Sequence, residues 1–164
     1  WDVMIAHPDC TFLTVANTYL RRGCSKYTAE QAAVYRDAAI AFFMRLAESP
    51  IAKIAIENPI GIMSTRWRKP DQIIQPWQFG EDASKATCLW LKGLPLLKPT
   101  KILDGGRMAR RANQTPSGQN KLGPSPKRAQ DRSRTYQGIA DAMADQWGEE
   151  HKHTLWRTAN HETT

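Results

Sequence analysis

Two short stretches of this sequence decide the fold: Ile5-Ala6-His7-Pro8-Asp9-Cys10 and Ile54-Ala55-Ile56-Glu57-Asn58-Pro59. Each is an apolar run typical of a buried strand, and each ends in reactive side chains beside a proline. The segment between them predicts a helix, because Thr28-Ala29-Glu30-Gln31 has the pattern of a capping box and an alanine-rich run follows it. A strand, a helix and a second strand favour a right-handed crossover with parallel strands. Because ligands bind beyond the carboxyl ends of such strands, we expect Cys10 and Glu57 to face one crevice.

Hydrophobic periodicity extends this prediction along the chain. Two further strands are predicted at 72–79 and 86–91, joined by a turn. The long helix is expected to face the core with a stripe of four side chains, Tyr35, Ala39, Phe42 and Leu46.

The C-terminal third of the chain changes character. Large apolar residues nearly vanish over 104–134, which predicts a long flexible loop, and helical periodicity returns at 136–147. The predicted organisation is therefore an α/β core that carries the chemistry over 1–103, a basic flexible loop over 104–134, a C-terminal helix over 135–148 and a polar tail over 149–164.

Length and composition indicate one globular domain, with 164 residues of which 41% are hydrophobic. No apolar run approaches the roughly 20 residues that cross a bilayer, and no secretory leader is visible, so no membrane contact is expected. Three cysteines without metal-type spacing argue against a disulfide framework or a metal, and favour a reducing, cytoplasmic compartment. Because Trp1 already lies inside a strand pattern, we expect that an N-terminal portion is missing from this sequence.

The net charge of +7 comes from one segment. Residues 101–134 hold nine basic and two acidic residues, whereas the rest of the chain is balanced. A local excess of this kind indicates contact with a polyanion such as DNA, and the alternative is a solvated loop whose charge only aids solubility. The candidate contacts with a DNA backbone are Arg107, Arg110, Arg111, Lys127 and Arg128.

The two strand-end motifs resemble those of the DNA cytosine-5 methyltransferases, and more closely those of short phage-encoded relatives. Pro8 and Cys10, with Asp9 inserted between them, resemble the family's Pro-Cys motif. Glu57-Asn58-Pro59 resembles the Glu-Asn motif that follows the next strand. The resemblance covers about residues 1–100 and 132–148.

Two weaker matches extend the resemblance. Gln78-Phe79-Gly80 leading to Lys85-Ala86-Thr87 is similar to the family's aromatic-glycine stretch and Lys-x-Thr strand, and the helix from Arg134 to Trp147 is similar to the element that packs back on the cofactor domain. The resemblance implies an α/β, Rossmann-like, mostly parallel sheet with flanking helices, here incomplete at its N-terminus. It also implies S-adenosylmethionine as the cofactor, although no glycine-rich loop after a strand is present in the sequence.

The resemblance assigns a chemical role to each strand-end residue. Cys10 would attack carbon 6 of cytosine, Glu57 would relieve charge at ring nitrogen 3, and Asn58 would position Glu57 or its loop. A neighbouring positive charge would favour the Cys10 thiolate, and an apolar crevice would favour a protonated Glu57. The base would have to be flipped out of its stack or be single-stranded. The candidate substrate contacts are His7, Pro8, Arg66, Arg68 and Lys85.

Each assignment has a structural alternative. Cys10 could be a small buried hydrophobe, Glu57 a turn cap or the partner of an arginine, and His7 only a polar residue at a strand end. Arg66 and Arg68 could belong to a solvated loop, in which Trp67 either stacks on a base or anchors the chain. Cys24 and Cys88 are expected to be structural. The functional alternatives are a DNA-binding or accessory protein that retains the fold without turnover, and another base-modifying enzyme with the same thiol chemistry.

Overall fold

A computed structural model describes residues 2–122 and 135–148, without the side chains of residues 16, 18, 19 and 21. The candidate contacts Lys127 and Arg128 and the predicted tail over 149–164 lie outside the described residues. The described residues divide into two compact units. The first is built from residues 2–74 and 86–96, and the second from residues 75–85, 97–122 and 135–148.

Within the described residues, the first unit holds a four-stranded sheet and one long helix. The strands are β1 (Val3–Ala6), β2 (Lys53–Pro59), β3 (Gln72–Ile74) and β4 (Thr87–Lys92). The helical segments are a 3-10 segment (Val15–Arg22), α1 (Ala29–Ala47) and the short α2 (Met63–Arg66).

The start of α1 confirms the predicted capping box. The amide of Gln31 donates to the Thr28 hydroxyl at 3.2 Å, and the Gln31 side chain accepts from the Thr28 amide at 2.9 Å. These two bonds satisfy backbone donors that the first helical turn leaves without partners. The helix ends at Ala47, ahead of Ser49-Pro50, because proline disfavours helical geometry in the residue before it.

The sheet has the order β1-β2-β4-β3 and is mixed. β1 and β2 are parallel, as predicted, and the register places Ala6 beside Ile56. β4 lies antiparallel between β2 and β3, so the mostly parallel sheet of the prediction is present only at the β1-β2 pair. β3 is also shorter than the predicted strand 72–79, because Pro76 begins a 3-10 turn (Pro76–Gln78).

The core of the first unit contains Phe43, and two of the four predicted stripe residues, Ala39 and Leu46, pack against this core. Phe43 is fully buried, and its ring centroid lies 5.2 Å from that of Trp90 and 5.8 Å from that of Trp67. Phe42 and Tyr35, which were predicted to face the core, are exposed. The middle of α1 is apolar on nearly every side, so the spacing of its apolar residues does not show which side faces the core. Phe43 is the residue that is buried, because it packs against two tryptophans.

The second unit holds two 3-10 turns (Pro76–Gln78 and Gly106–Met108) and the helix α3 (Gln137–Gly148). α3 buries Ile139, Met143 and Trp147, in agreement with the predicted periodicity. Gly138 permits close packing, because a Cβ atom there would lie 2.1 Å from the carbonyl oxygen of Phe79. The Gln146 side chain bonds both the amide and the carbonyl of Lys98, each at 2.8 Å.

Residues 104–122, predicted as part of a flexible loop, form a hydrogen-bonded structure in the second unit. The Asn113 side chain accepts from the amide of Ser84 at 2.9 Å and donates to its carbonyl at 3.0 Å. Gln114 and Asn120 form an antiparallel bridge around a turn. Side-chain amides bonded to the backbone give this segment its structure. The prediction of a flexible loop was based on the small number of large apolar residues, and it did not take these amide bonds into account.

Candidate functional site

The candidate site lies within the first unit, where β1 ends at Ala6 and its pairing with β2 stops; Glu57 and Asn58 are still part of β2, which runs on to Pro59. The parallel register that pairs Ala6 with Ile56 leaves His7 and Glu57 as the next residues on the two strands. There the Nδ1 atom of His7 is hydrogen-bonded to the Oε2 atom of Glu57. The His7 side chain is 41% exposed and the Glu57 side chain only 12%, so the imidazole is the more accessible partner of the pair.

A second bond joins the same two strand ends. Asn58 is buried, and its Nδ2 atom donates to the carbonyl oxygen of Pro8 at 2.9 Å. A buried amide requires such a partner, because an unsatisfied polar group costs free energy in the interior. The bond ties the loop that carries Cys10 to the strand that carries Glu57. Pro8 is itself buried and its carbonyl is occupied, so the structure places it as a support of the site.

The loop that carries Cys10 is a compact turn. Asp9 begins it, since one of its carboxylate oxygens accepts from the amide of Thr11 at 2.9 Å and from the Thr11 hydroxyl at 2.7 Å. The carbonyl of Cys10 accepts from the amides of Leu13 and Thr14, at 3.0 and 2.9 Å. Cys10 itself is half-buried. The inserted Asp9 therefore has a structural role, because it fixes the turn that presents the thiol.

The chain that follows β2 also supports this turn. The amide of Ile62 donates to the carbonyl of Leu13 at 2.8 Å, and Thr14 and Gly61 form an antiparallel bridge. A Cβ atom on Gly61 would lie 2.2 Å from the Leu13 carbonyl oxygen, so only glycine fits there. Gly61 was missed at the level of sequence, although a glycine two residues after Pro59 was a visible signal.

Arg66 and Arg68 have different surroundings. The guanidinium of Arg68 forms a 2.8 Å ion pair with Asp71, donates to the carbonyl of Leu91 at 3.1 Å and lies over the Trp67 ring. These contacts hold Arg68 against its own loop, and its side chain remains 37% exposed. Trp67 packs edge-on against Phe43 and so also anchors the loop. Arg66 is exposed at the end of α2.

Arg111, in the second unit, is buried and not a surface contact for DNA. Only 5% of it is exposed, its guanidinium donates to the carbonyls of Asp104 and Gly106, and it lies over the Trp77 ring. These contacts hold the chain around Gly105-Gly106 and correct the assignment of Arg111 to a phosphate. Arg107 and Arg110 are exposed. Lys85 also belongs to the second unit, where its ammonium lies 6.0 Å from the centre of the Tyr136 ring.

The other two cysteines differ from each other. Cys88 is buried on β4 beside Asn58, and burial raises the pKa of its thiol to about 11. Its thiol is therefore neutral at ordinary pH, in keeping with the expected structural role. Cys24 is exposed, and its backbone forms two hydrogen bonds with that of Tyr27.

The glycine pair Gly105-Gly106 does not form a glycine-rich loop after a strand. Both residues have positive φ angles, but Gly105 lies in a turn, Gly106 begins the 3-10 turn Gly106–Met108, and the Gly106 carbonyl accepts from Arg111. Over residues 2–122 and 135–148, no group of three His, Cys, Asp or Glu side chains is placed to hold a metal ion. None of the helices in that same part of the chain is long and apolar enough to span a bilayer.

Comparison with known proteins adds no assignment: neither a protein-family model nor a curated protein sequence matches this chain.

Proposed function

We propose that this chain is a DNA cytosine-5 methyltransferase-like protein in which Cys10 is the nucleophile and Glu57 the acid. The observation that carries the proposal is the joining of the two strand ends, by the His7–Glu57 bond and the Asn58–Pro8 bond, at one edge of the parallel pair. The β1-α1-β2 unit supports a Rossmann-like assignment of the α/β fold, in which this edge is the usual place for a ligand.

The proposed chemistry begins with addition of the Cys10 thiolate to carbon 6 of cytosine. As the sulfur–carbon bond forms, the electron pair of the C5–C6 double bond moves toward carbon 5 and into the ring, and Glu57 gives its proton to nitrogen 3. Carbon 5 is then nucleophilic. A proton from water can add there, and loss of the original C5 proton followed by expulsion of the thiolate restores the aromatic ring. Nitrogen 3 returns its proton to Glu57, which releases it to solvent and takes up another before the next turnover.

This part of the cycle needs no methyl donor, so it can be tested on the chain as it is. DNA carrying tritium at carbon 5 of cytosine should release tritium to water in the presence of the protein. Cys10→Ser and Glu57→Gln should abolish release, because serine is a far weaker nucleophile and glutamine cannot give a proton. Cys24→Ser is the matched control and should keep the wild-type rate, since Cys24 lies outside the site.

DNA with 5-fluorocytosine gives a second readout. Fluorine blocks the loss from carbon 5 that releases the enzyme, so the wild type should form a covalent adduct and Cys10→Ser should not. Protein that binds DNA yet neither releases tritium nor forms the adduct would contradict the enzymatic proposal and favour the non-catalytic DNA-binding alternative. An adduct that forms equally well with Cys10→Ser would exclude Cys10 as the nucleophile.

A further inference from the structure

We propose that His7 is a positioning residue that also carries protons between solvent and the Glu57 carboxylate. The inference rests on the proposed function in one respect, which is that Glu57 gives its proton to cytosine. Its basis is the difference in exposure across one hydrogen bond: the imidazole of His7 is 41% exposed, and the carboxylate to which its Nδ1 atom is bonded is 12% exposed. The imidazole ring has a second nitrogen, so it can connect a nearly buried acid to water.

The relay moves one proton without net change in the charge of the ring, which changes tautomer in each direction of transfer. Neutral His7 holds its proton on Nδ1 and donates it to Oε2 of Glu57. Hydronium gives a proton to Nε2 and becomes water, while the Nδ1 proton passes to Oε2. The N–H bond at Nδ1 breaks, and an N–H bond at Nε2 and an O–H bond on Glu57 form. The imidazole is again neutral, now protonated on Nε2, and the reverse sequence returns the proton to water.

Of the residues beside the pair, those on β4 and the next one on β2 carry no charge. On β4 the residue paired with Glu57 is Leu89, which is apolar, and the adjacent Cys88 thiol is neutral because burial raises its pKa to about 11. On β2 the next residue is Asn58, which is uncharged and bonded to Pro8. In the loop after β1 the remaining groups are Cys10, whose thiol is the proposed nucleophile, and Asp9, one of whose carboxylate oxygens is occupied by Thr11.

The bond also fixes the direction of the carboxylate. With Oε2 held by His7, the carboxylate is kept in one orientation at the candidate site. An acid of this kind contributes only when it lies within hydrogen-bond reach of the atom it protonates. His7 thus serves Glu57 in two ways, by orienting it and by exchanging its proton, and the two roles predict different behaviour of variants.

The first test is nitrogen-15 NMR of the imidazole rings in the full chain, which reports the nitrogen that holds the proton. The signals of His7 are identified among the four histidines by their loss in His7→Gln. The wild type should hold the His7 proton on Nδ1, and Glu57→Leu should move it to Nε2, the form that free histidine prefers. A wild-type His7 protonated only on Nε2, unchanged in Glu57→Leu, would overturn the inference whatever the outcome for catalysis.

The second test uses tritium release from cytosine. His7→Gln can still orient Glu57 through its side-chain amide but cannot relay a proton, so release should fall about tenfold or more. A series of added imidazoles should restore it in proportion to their concentration and basicity. Full activity of His7→Gln, or rescue that saturates and ignores basicity, would reduce His7 to a structural group. If the wild type releases no tritium, the proposed function fails, and the NMR result alone decides the place of the His7 proton.

Discussion

The side-chain amide of Asn58 donates to the carbonyl of Pro8, fifty residues earlier in the chain, at 2.9 Å. This bond and the one between His7 and Glu57 connect the ends of two parallel strands by side chains, beyond the point where the backbone ladder ends. The geometry of the candidate site therefore depends on the buried amide of Asn58.

Asn58→Ala should destabilise the first unit, because it leaves the Pro8 carbonyl without its partner in the interior. The expected loss is about 1–3 kcal/mol of unfolding free energy, measured by urea denaturation. Gln119→Ala is the control and should change stability by less than about 0.5 kcal/mol, since the Gln119 side chain is exposed. Equal stability of Asn58→Ala and the wild type would show that the bond contributes nothing.

Gly61→Ala should cost about 2 kcal/mol or more, because the new Cβ atom would lie 2.2 Å from a backbone oxygen that has little room to move. We expect tritium release to fall as well, since the clash separates the Cys10 turn from the chain after β2. Gly148→Ala is the matched control. Nothing lies within 4 Å of a Cβ atom there, so that change should leave stability equal or slightly higher, as measured by thermal unfolding.

Cys88 should make stability fall with alkaline pH. Its pKa is raised from 9.0 to about 11 in the folded chain, so its stabilising effect is fully present below pH 9 and is lost as the pH rises toward 11. The loss should be roughly 2–3 kcal/mol. Urea denaturation at pH 8 and pH 11 measures it, and Cys88→Ala should lack this part of the pH dependence. Cys24→Ala should retain it, and identical slopes for Cys88→Ala and the wild type would contradict the assignment.

The two kinds of arginine in the second unit should separate stability from DNA binding. Arg107→Gln with Arg110→Gln should leave stability unchanged and lower the slope of log affinity against log salt by about 2, if each contacts one phosphate. Arg111→Gln should instead destabilise the chain, because its guanidinium holds two backbone carbonyls. Fluorescence anisotropy with a DNA duplex at several salt concentrations distinguishes them. An unchanged slope in the double variant would remove these residues from any DNA contact.

The parts of the fold that local chemistry determines were predictable from the sequence. The capping box at Thr28 follows from residues close together in the chain, and the parallel β1-β2 pair follows from the predicted order of strand, helix and strand; both are present. The position of β4 between β2 and β3 was not predictable, because the sequence of residues 86–91 does not indicate which strands they pair with. The same reason explains Phe43, whose burial depends on Trp90, a residue distant in sequence.

The candidate site was predicted in its location but not in its contacts. The residues that end the two strands were visible, yet the bond between His7 and Glu57 depends on a register that only the folded sheet fixes. Arg111 shows the opposite case. Its charge suggested a surface role, and its burial against Trp77 depends on a partner more than thirty residues away. Arg111 donates to the carbonyls of Asp104 and Gly106, so the pair Gly105-Gly106 was the feature of the sequence that could have indicated this role.

The position of β4 has a consequence for the order in which the chain folds. Among the described strands β3 pairs only with β4, which follows it in sequence, so β3 cannot join the sheet until residues 87–92 have been synthesised. The residues that form the candidate site, from His7 to Ile62, lie in a part of the chain that is made before β4. The strand ends that carry Cys10 and Glu57 can therefore come together on the ribosome early, and β4 then closes the open side of β2 over a pair already formed.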